Sequence, residues 1–462
     1  MEKWDVIIVG TGPAGIFAAL QLSKNPNLKI LLLEQGKKLA ERTRHNVLYG
    51  WGGSGAYSDG KLTLSSAVGG WLLDYISLET FKRYMKLVED QYVNYGANKD
   101  LILEPNGKDI DDLRRRAFKN GLQLIPFRIL HLGTDTLKDI LQAMFDDLTN
   151  RPNVDIKFET TVKEILVKNN HVTGVKIVTG EQYHCDKIIV ACGRASSVWF
   201  RNELQRLEIV VQSRQVDIGV RIEIPAEISA PLTDLLYEFK VIFYSPTFDQ
   251  LARTFCVCPN GEVTIERGND IITVNGHTYS DPKRKTSNTN FAILVSTKFT
   301  TPFNEPFKFG QAVSSLANLL SDNKVIIQRL ADLKRGRRST YARLKRSIVT
   351  PTCKDAIPGD LSFVIPYRHL VSILEMIEAL DSIIPGINSN NTFLYGVETK
   401  FYSNKLDLTE NFEIKGLKGL YAIGDGAGVT RSLAHASLNG LLLADALLGD
   451  KEKREVAELL SV

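Results

Sequence analysis

Cysteine is scarce in this chain: five in 462 residues, an odd number, with no C-x-x-C spacing among them. Cys256 and Cys258 stand in C-x-C spacing, a poor geometry for a redox disulfide and too few ligands for zinc. Neither a dithiol relay nor a metal site is legible, and sparse cysteine points to a reducing, cytoplasmic compartment. Long apolar runs are missing as well. The richest stretch, Leu438 to Leu448, is broken by Asn439, Gly440 and Asp445. It falls short of the roughly 18 apolar residues that a spanning helix needs, so no membrane segment is expected. A signal peptide is not expected either, because a buried strand is predicted from Asp5 with no charged and apolar leader before it. Charge of one sign is also lacking. Lys plus Arg number 57 against 53 Asp plus Glu, a net charge of +4, which makes no case for nucleic acid or an anionic membrane as partner. The local exception is Lys334-Arg335-Gly336-Arg337-Arg338 with Arg343, Lys345 and Arg346. Such a run is most often a solvated helix face, with an RNA-binding patch as the alternative.

What is present reads as an ordinary globular chain, 44% apolar and 24% charged. Its length calls for two intertwined domains, or one interrupted by another. Asp5-Val6-Ile7-Ile8-Val9 is a buried strand ended by glycine, Ala14 to Ser23 has helical spacing, and Lys29 to Glu34 is a second buried strand. Residues 71–120 look helical and charged, and Thr134 to Leu148 reads as a helix. Strands alternate with turns from Val154 to Val190. Between about 205 and 400 the texture turns β-rich, with a helical stretch near 310–346, and the last part of the chain returns to strand, glycine turn and helix. The expected layout is therefore an α/β nucleotide-binding domain, a doubly wound parallel sheet of Rossmann type, over 1–204 (with a helical insert at about 71–130) and 401–462. A β-rich α+β substrate domain over 205–400 interrupts it.

Gly10-Thr11-Gly12-Pro13-Ala14-Gly15 fits G-x-G-x-x-G between a strand and a helix. Gly10 permits the tight turn, Gly12 lets the backbone approach a pyrophosphate, and Gly15 lets the helix pack on the strand. The helix N-terminus, from Pro13 and Ala14 on, offers its amides to phosphate. Glu34, ending the second strand, is expected to accept hydrogen bonds from ribose hydroxyls and to repel a 2′-phosphate; Gln35 and Arg42 just beyond it are counted as further cofactor contacts. Gly50-Trp51-Gly52-Gly53-Ser54-Gly55 fits the same pattern but lies between no strand and helix. It is rejected as a second Rossmann turn, and Gly52, Gly53, Ser54 and Gly55 are expected to form a backbone nest for phosphate or flavin.

The far end of the chain decides between NAD and FAD. Leu420-Tyr421-Ala422-Ile423-Gly424-Asp425-Gly426 is an apolar strand running into an acidic glycine turn, and a helix is predicted from near Arg431. Asp425 can hold a ribityl hydroxyl, while Ser432, Leu433 and Ala434 bring helix N-terminal amides to the flavin O2 region. A nicotinamide dehydrogenase has no need of this second element. The two ends resemble the FAD-binding superfamily that includes fumarate reductases and glutathione reductases. The strand ending in Ala191-Cys192-Gly193-Arg194-Ala195-Ser196 is similar to that superfamily's A-T-G-x-x-S, with Cys192 in place of threonine. More narrowly, Gly52 to Leu62, His131-Leu132-Gly133-Thr134-Asp135, Gly219 to Glu223 and Arg253 to Val263 resemble a largely uncharacterised family of FAD-dependent dehydrogenases. The resemblance implies FAD, redox chemistry and cofactor contacts at Val162, Ala191, Cys192 and Gly193, but no particular substrate. Ser432 stands where that family's pattern has glycine, and His435 also departs from it.

Hydride chemistry belongs to the flavin, so catalytic side chains are expected from the inserted segment roofing it. His277 and Tyr279 are candidates to exchange a proton with substrate, Arg221 and Arg253 to hold a carboxylate or polarise a carbonyl, and His435 to touch isoalloxazine. The expected activity is a flavin-dependent dehydrogenase or reductase of a small molecule. A flavin monooxygenase and an RNA-directed flavoprotein are the alternatives. No second complete βαβ unit is readable, so NAD(P)H would act only as a transient donor, and the oligomeric state is left open.

Overall fold

The computed structural model describes residues 3–43, 47–212, 215–268, 270–279, 281–402 and 405–459. The chain forms two units, each assembled from separated segments. The first comprises Met1–Ile102, Arg128–Ser213 and Ser403–Val462, and the second Leu103–Phe127 and Arg214–Tyr402.

In the first unit a seven-stranded sheet runs in the order Val154–Lys157, Ile30–Leu33, Lys3–Val9, Gln182–Val190, His171–Ile177, Val162–Lys168. Leu420–Ala422 also pairs with Gln182–Val190. The pairings among the first four strands and with Leu420–Ala422 are parallel. Ile30–Leu33 and Val6–Val9 are apolar at every position and buried, as strands covered on both faces must be. Helix Pro13–Leu22 is buried along most of its length because helix Leu433–Leu459 lies directly against it. A Cβ at Gly440 would come within 2.2 Å of the Ala14 carbonyl oxygen, so the two backbones meet where only glycine fits. This is the Rossmann-type α/β sheet expected from the sequence.

In the second unit an eight-stranded sheet runs Ile357–Pro358, Ile326–Arg329, Phe393–Phe401, Val216–Pro225, Asn288–Thr297, Gln250–Cys258, Lys240–Ser245, Leu122–Ile125. Its central strand, Val216–Pro225, separates two environments. Val216, Ile218, Val220, Ile222 and Ile224 face an apolar core shared with Ile373, Met376, Ile377 and Leu380 of helix Tyr367–Leu380. Asp217, Arg221 and Glu223 face the other way, and all three are buried. Hairpin Glu262–Gly268/Ile271–His277 packs on that polar side, where a Cβ at Gly276 would lie 2.2 Å from Arg221 Nη1.

Two expectations are corrected. The helical stretch near 310–346 is helix Pro306–Leu320, strand Ile326–Arg329 and two short helices, Leu330–Lys334 and Tyr341–Leu344. Residues 103–127 do not sit with the nucleotide-binding segments. Leu122–Ile125 pairs antiparallel with Lys240–Ser245 and belongs to the second sheet. Among the described residues no helix is long and apolar enough to cross a membrane.

Candidate cofactor site

Strand Lys3–Val9 ends at Gly10, whose φ of +103° an L side chain rarely adopts. The helix that follows starts at Pro13, with Gly12 as its N-cap, so no side chain caps it. Pro13 has no N–H, and the amides exposed at this helix start are left for an external acceptor. Gly12 marks where that acceptor can come: a Cβ there would meet no atom within 4 Å, whereas one at Gly15 would strike the Gly10 carbonyl at 2.1 Å. Gly12 thus faces open space and Gly15 is locked into packing.

The second glycine loop rests on the first turn. Gly52 N–H donates to the Thr11 carbonyl at 2.9 Å, and a Cβ at Gly53 would lie 3.3 Å from Gly12 Cα. Gly53, Ser54 and Gly55 open a short 3-10 turn (Gly53–Tyr57) entered through Gly52 at φ +80°. Arg42 is buried and donates to the carbonyls of Val47, Trp51 and Gly53, so it braces this loop from inside. Burial pulls its guanidinium below the usual range.

Glu34 corrects an expectation. Its carboxylate is buried and accepts four hydrogen bonds, from Thr11 N–H (2.9 Å) and Thr11 Oγ1 (2.8 Å) on one oxygen and from Gly36 N–H (2.8 Å) and Gly50 N–H (2.9 Å) on the other. A carboxylate offers about four lone-pair directions, and in this arrangement all are taken, one of them by the Thr11 hydroxyl. Glu34 instead fastens the two glycine loops together. Gln35 donates to Ser196 Oγ at 3.0 Å. Val162 is buried at the start of its strand, paired with Ile177.

Ala191, Cys192 and Gly193 continue strand Gln182–Val190 beside the first turn, with Ala191 N–H on the Val9 carbonyl at 2.9 Å. Burial pushes the Cys192 thiol up to about 12, which makes it inert packing. Gly193 again opens on space, with no atom within 4 Å of a Cβ. Against this edge comes the 424–428 turn: Gly426 N–H donates to the Cys192 carbonyl at 3.0 Å, and Gly424 N–H to Asn439 Oδ1 at 2.8 Å. Asp425 accepts from Thr430 Oγ1 at 2.7 Å, and its other oxygen lies 3.9 Å from Arg194 Nε. Burial raises its pKa, opposed by the nearby arginine charge.

The last helix begins at Leu433, with Ser432 Oγ accepting from His435 N–H at 3.2 Å as its cap. Leu433 and Ala434 form its first turn. His435 is not available for catalysis. It is 1% exposed, its Nε2–H donates to the Ser65 carbonyl at 2.8 Å, and Phe81 packs on the ring at 5.0 Å. The Gly10–Gly15, Gly50–Gly55, Ala191–Gly193 and Gly424–Ala434 segments thus converge at the carboxyl ends of parallel strands. Thr11 and Arg194, which stand at variable positions of the sequence patterns, join them, as do Thr430 and Asn439, which no pattern singled out.

The other candidates lie in the second unit. Arg221 is fully buried, with Nε and Nη2 on the two oxygens of Glu398 (2.8 and 2.9 Å) and Nη1 on Asn290 Oδ1 at 2.8 Å and the Cys256 carbonyl at 3.1 Å. Burial works against its charge, but the Glu398 carboxylate holds it well above the usual range. With every edge engaged it cannot hold a substrate carboxylate, and the expected catalytic role is withdrawn. Arg253 is partly exposed and donates through Nη2 to Asp217 (2.5 Å) and Tyr402 (2.8 Å). His277 and Tyr279 stand edge-on with ring centres 4.5 Å apart. Tyr279 donates to Glu262 at 2.5 Å beneath the Arg284 guanidinium. In the basic run, Arg337 pairs with Asp332 and Lys334 with Glu378.

Residues 5–292 match a family described as FAD dependent oxidoreductase. This chain belongs to that family. Residues 238–401 match a second description, FAD-dependent protein, C-terminal domain-like. The flavoenzyme is 25% identical to an uncharacterized protein of Clostridium beijerinckii, over 96% of this chain and 80% of that one. It is also 25% identical to an L-aspartate oxidase of Yersinia pestis, over 42% of this chain and 38% of the oxidase. Among solved structures, a quinol fumarate reductase of E. coli covers 96% of this chain and 70% of its own, at 14% identity and a TM-score of 0.42. The uncapped helix start at Gly12, the open faces of Gly12 and Gly193 and the carboxylate of Asp425 fit FAD, and the protein is an FAD-dependent oxidoreductase.

Buried histidines give this flavoenzyme a pH signature. Burial pushes both His435 and His369, whose Nε2 meets Thr297 Oγ1 at 2.8 Å, down to about 4 from an ordinary 6.5. The unfolded chain therefore binds protons between these values that the fold refuses. Stability is expected to be full above pH 6.5 and to fall as the pH drops towards 4, by about 3 kcal/mol per histidine. Urea unfolding at stepped pH checks this, and His435→Gln should flatten the slope by half. An unchanged slope would place the acid sensitivity elsewhere.

Proposed function

We infer that the protein is a dehydrogenase or reductase that moves hydride between FAD and a small organic molecule. The observation that carries this reading is the meeting of two loops from opposite ends of the sequence, Gly10–Gly15 and Gly424–Asp425, both beside Ala191–Gly193. FAD, when bound, supplies the two-electron step at its N5. The chain's own groups do the rest. Amides at the start of Pro13–Leu22 seat the pyrophosphate, and Asp425 holds a ribityl hydroxyl. The N-terminus of Leu433–Leu459 favours negative charge developing near it. We assign substrate recognition to the second unit, with His277 or Tyr279 exchanging the proton and Arg253 facing a carboxylate or carbonyl. NADH or NADPH is proposed as a transient donor, and the cytoplasm, with its reduced thiols, as the compartment.

The decisive experiment is anaerobic. The purified protein is expected to be yellow, and its flavin to bleach with NADH, NADPH or one of a panel of organic acids, amines and alcohols. A colourless protein that takes up no FAD would overturn the reading, and so would fast NAD(P)H consumption yielding a hydroxylated product when the assay is repeated in air. Asp425→Ala should weaken FAD by about tenfold to a hundredfold, the loss of a charge-assisted hydrogen bond of ~1.5–3 kcal/mol. Fluorescence titration of the apoprotein measures it, and unaltered affinity would remove Asp425 from the site.

A further inference from the structure

Cys256 and Cys258 look ill-suited to each other in the sequence, and the fold changes that. Strand Gln250–Cys258 runs antiparallel to Asn288–Thr297 with Phe255 opposite Ala292, but the next registered pair is Cys258 with Asn290. One extra residue is thus inserted on the cysteine strand, a β-bulge, and Cys256 carries it at φ +47°. The bend turns both side chains together, with sulfur atoms 4.0 Å apart. A disulfide needs about 2 Å between the sulfurs, so the pair must approach by roughly 2 Å more for the bond to form.

The two sulfurs differ in a useful way. Cys258 is fully buried, while Cys256 is partly exposed. The Arg221 guanidinium lies against the bulge, donating to the Cys256 carbonyl at 3.1 Å, so positive charge stands beside the pair. The remaining three cysteines are buried, and burial pushes the thiols of Cys185 and Cys192 up to about 12 and that of Cys353 up to about 11. Only the C-x-C pair combines access, a neighbouring cation and a second sulfur within reach, the conditions for selective oxidation.

We propose that Cys256 and Cys258 form a reversible disulfide on exposure to peroxide, with Cys256 as the attacked thiol and Cys258 as the resolving one. The Cys256 sulfur displaces water from hydrogen peroxide: the O–O bond breaks, an S–O bond forms, and Cys256 becomes a sulfenic acid. The Cys258 sulfur then attacks the Cys256 sulfur; the S–O bond breaks, the S–S bond forms, and a second water leaves. Two thiols lose two electrons and two protons, and one peroxide becomes two waters. Closing the bond tightens the bulge whose carbonyl Arg221 holds, so oxidation reaches the Arg221–Glu398 pair directly.

The test uses the 462-residue chain with its cofactor, treated with hydrogen peroxide, then unfolded and alkylated. Two of the five thiols should disappear, peptide mapping should join Cys256 to Cys258, and dithiothreitol should restore both. In Cys258→Ser the intermediate should persist and be trapped by dimedone on Cys256. In Cys256→Ser thiol loss should slow by about tenfold or more, since the exposed sulfur is gone. Five surviving thiols in the wild type, or loss mapped to Cys185, Cys192 or Cys353, would overturn the proposal. So would equally fast dimedone labelling of Cys258 in Cys256→Ser.

Discussion

Gly15→Ala is expected to leave the protein unable to retain FAD and strongly destabilised, although alanine is the better helix former. Alanine at an ordinary helical position gains about 1 kcal/mol over glycine. Here its methyl group would sit 2.1 Å from the Gly10 carbonyl oxygen and 3.3 Å from Ala191 Cβ, and the nearest obstacle is backbone. Relief requires the helix to lift off the strand, a cost of ~3 kcal/mol in a packed interior, and that movement spreads the phosphate seat. Gly12→Ala is the matched control. Its Cβ meets nothing and its φ of −75° suits any residue, so unfolding should shift by less than about 0.5 kcal/mol. The methyl nevertheless occupies the space in which a pyrophosphate would approach, and FAD affinity should drop by about a hundredfold or more. Thermal unfolding of the apoproteins and flavin titration separate the two effects. Equal stability loss in both variants would refute this division of labour within the turn.

Arg221→Met should unfold the second unit at lower denaturant without a specific defect in turnover per folded molecule. Removing the guanidinium leaves Glu398 buried with, among the described residues, Lys400 at 3.2 Å for compensation, and breaking a buried pair this way costs about 3–5 kcal/mol. Adding Glu398→Leu should recover at least half of that loss, since the uncompensated charge goes with it. Urea unfolding of the single and double variants measures the coupling. A single variant of full stability but no turnover would restore Arg221 to catalysis.

These two residues also show what could be read in advance. The Gly10–Gly15 turn was legible because its glycines answer local requirements, a positive φ and a close approach, that the neighbouring residues reveal. The buried strands at Asp5 and Lys29 were legible for the same reason: apolar runs of strand length bounded by breakers. Arg221 was not, because its meaning depends on Glu398, 177 residues away, and an arginine in a strand gives no sign of its partner. Glu34 was misread through chemistry rather than position. A carboxylate at a strand end suits a ribose, but three backbone amides and the Thr11 hydroxyl already occupy it. His435 looked catalytic by proximity to the acidic turn, and only packing against Ser65 and Phe81 shows that it points inward. The C-x-C pair needed a register shift that no periodicity encodes.

The edge strand Leu122–Ile125 has a practical consequence for dissecting the protein. It is contributed by a segment that leaves the first unit and returns to it, yet it closes the outer side of Lys240–Ser245. A fragment cut at Arg214–Tyr402 would carry that neighbour with its N–H and C=O groups unpaired, an invitation to edge-to-edge aggregation. An excised second unit must bring 103–127 with it through an engineered linker, and insertion tags are better placed elsewhere than between Ile102 and Arg128.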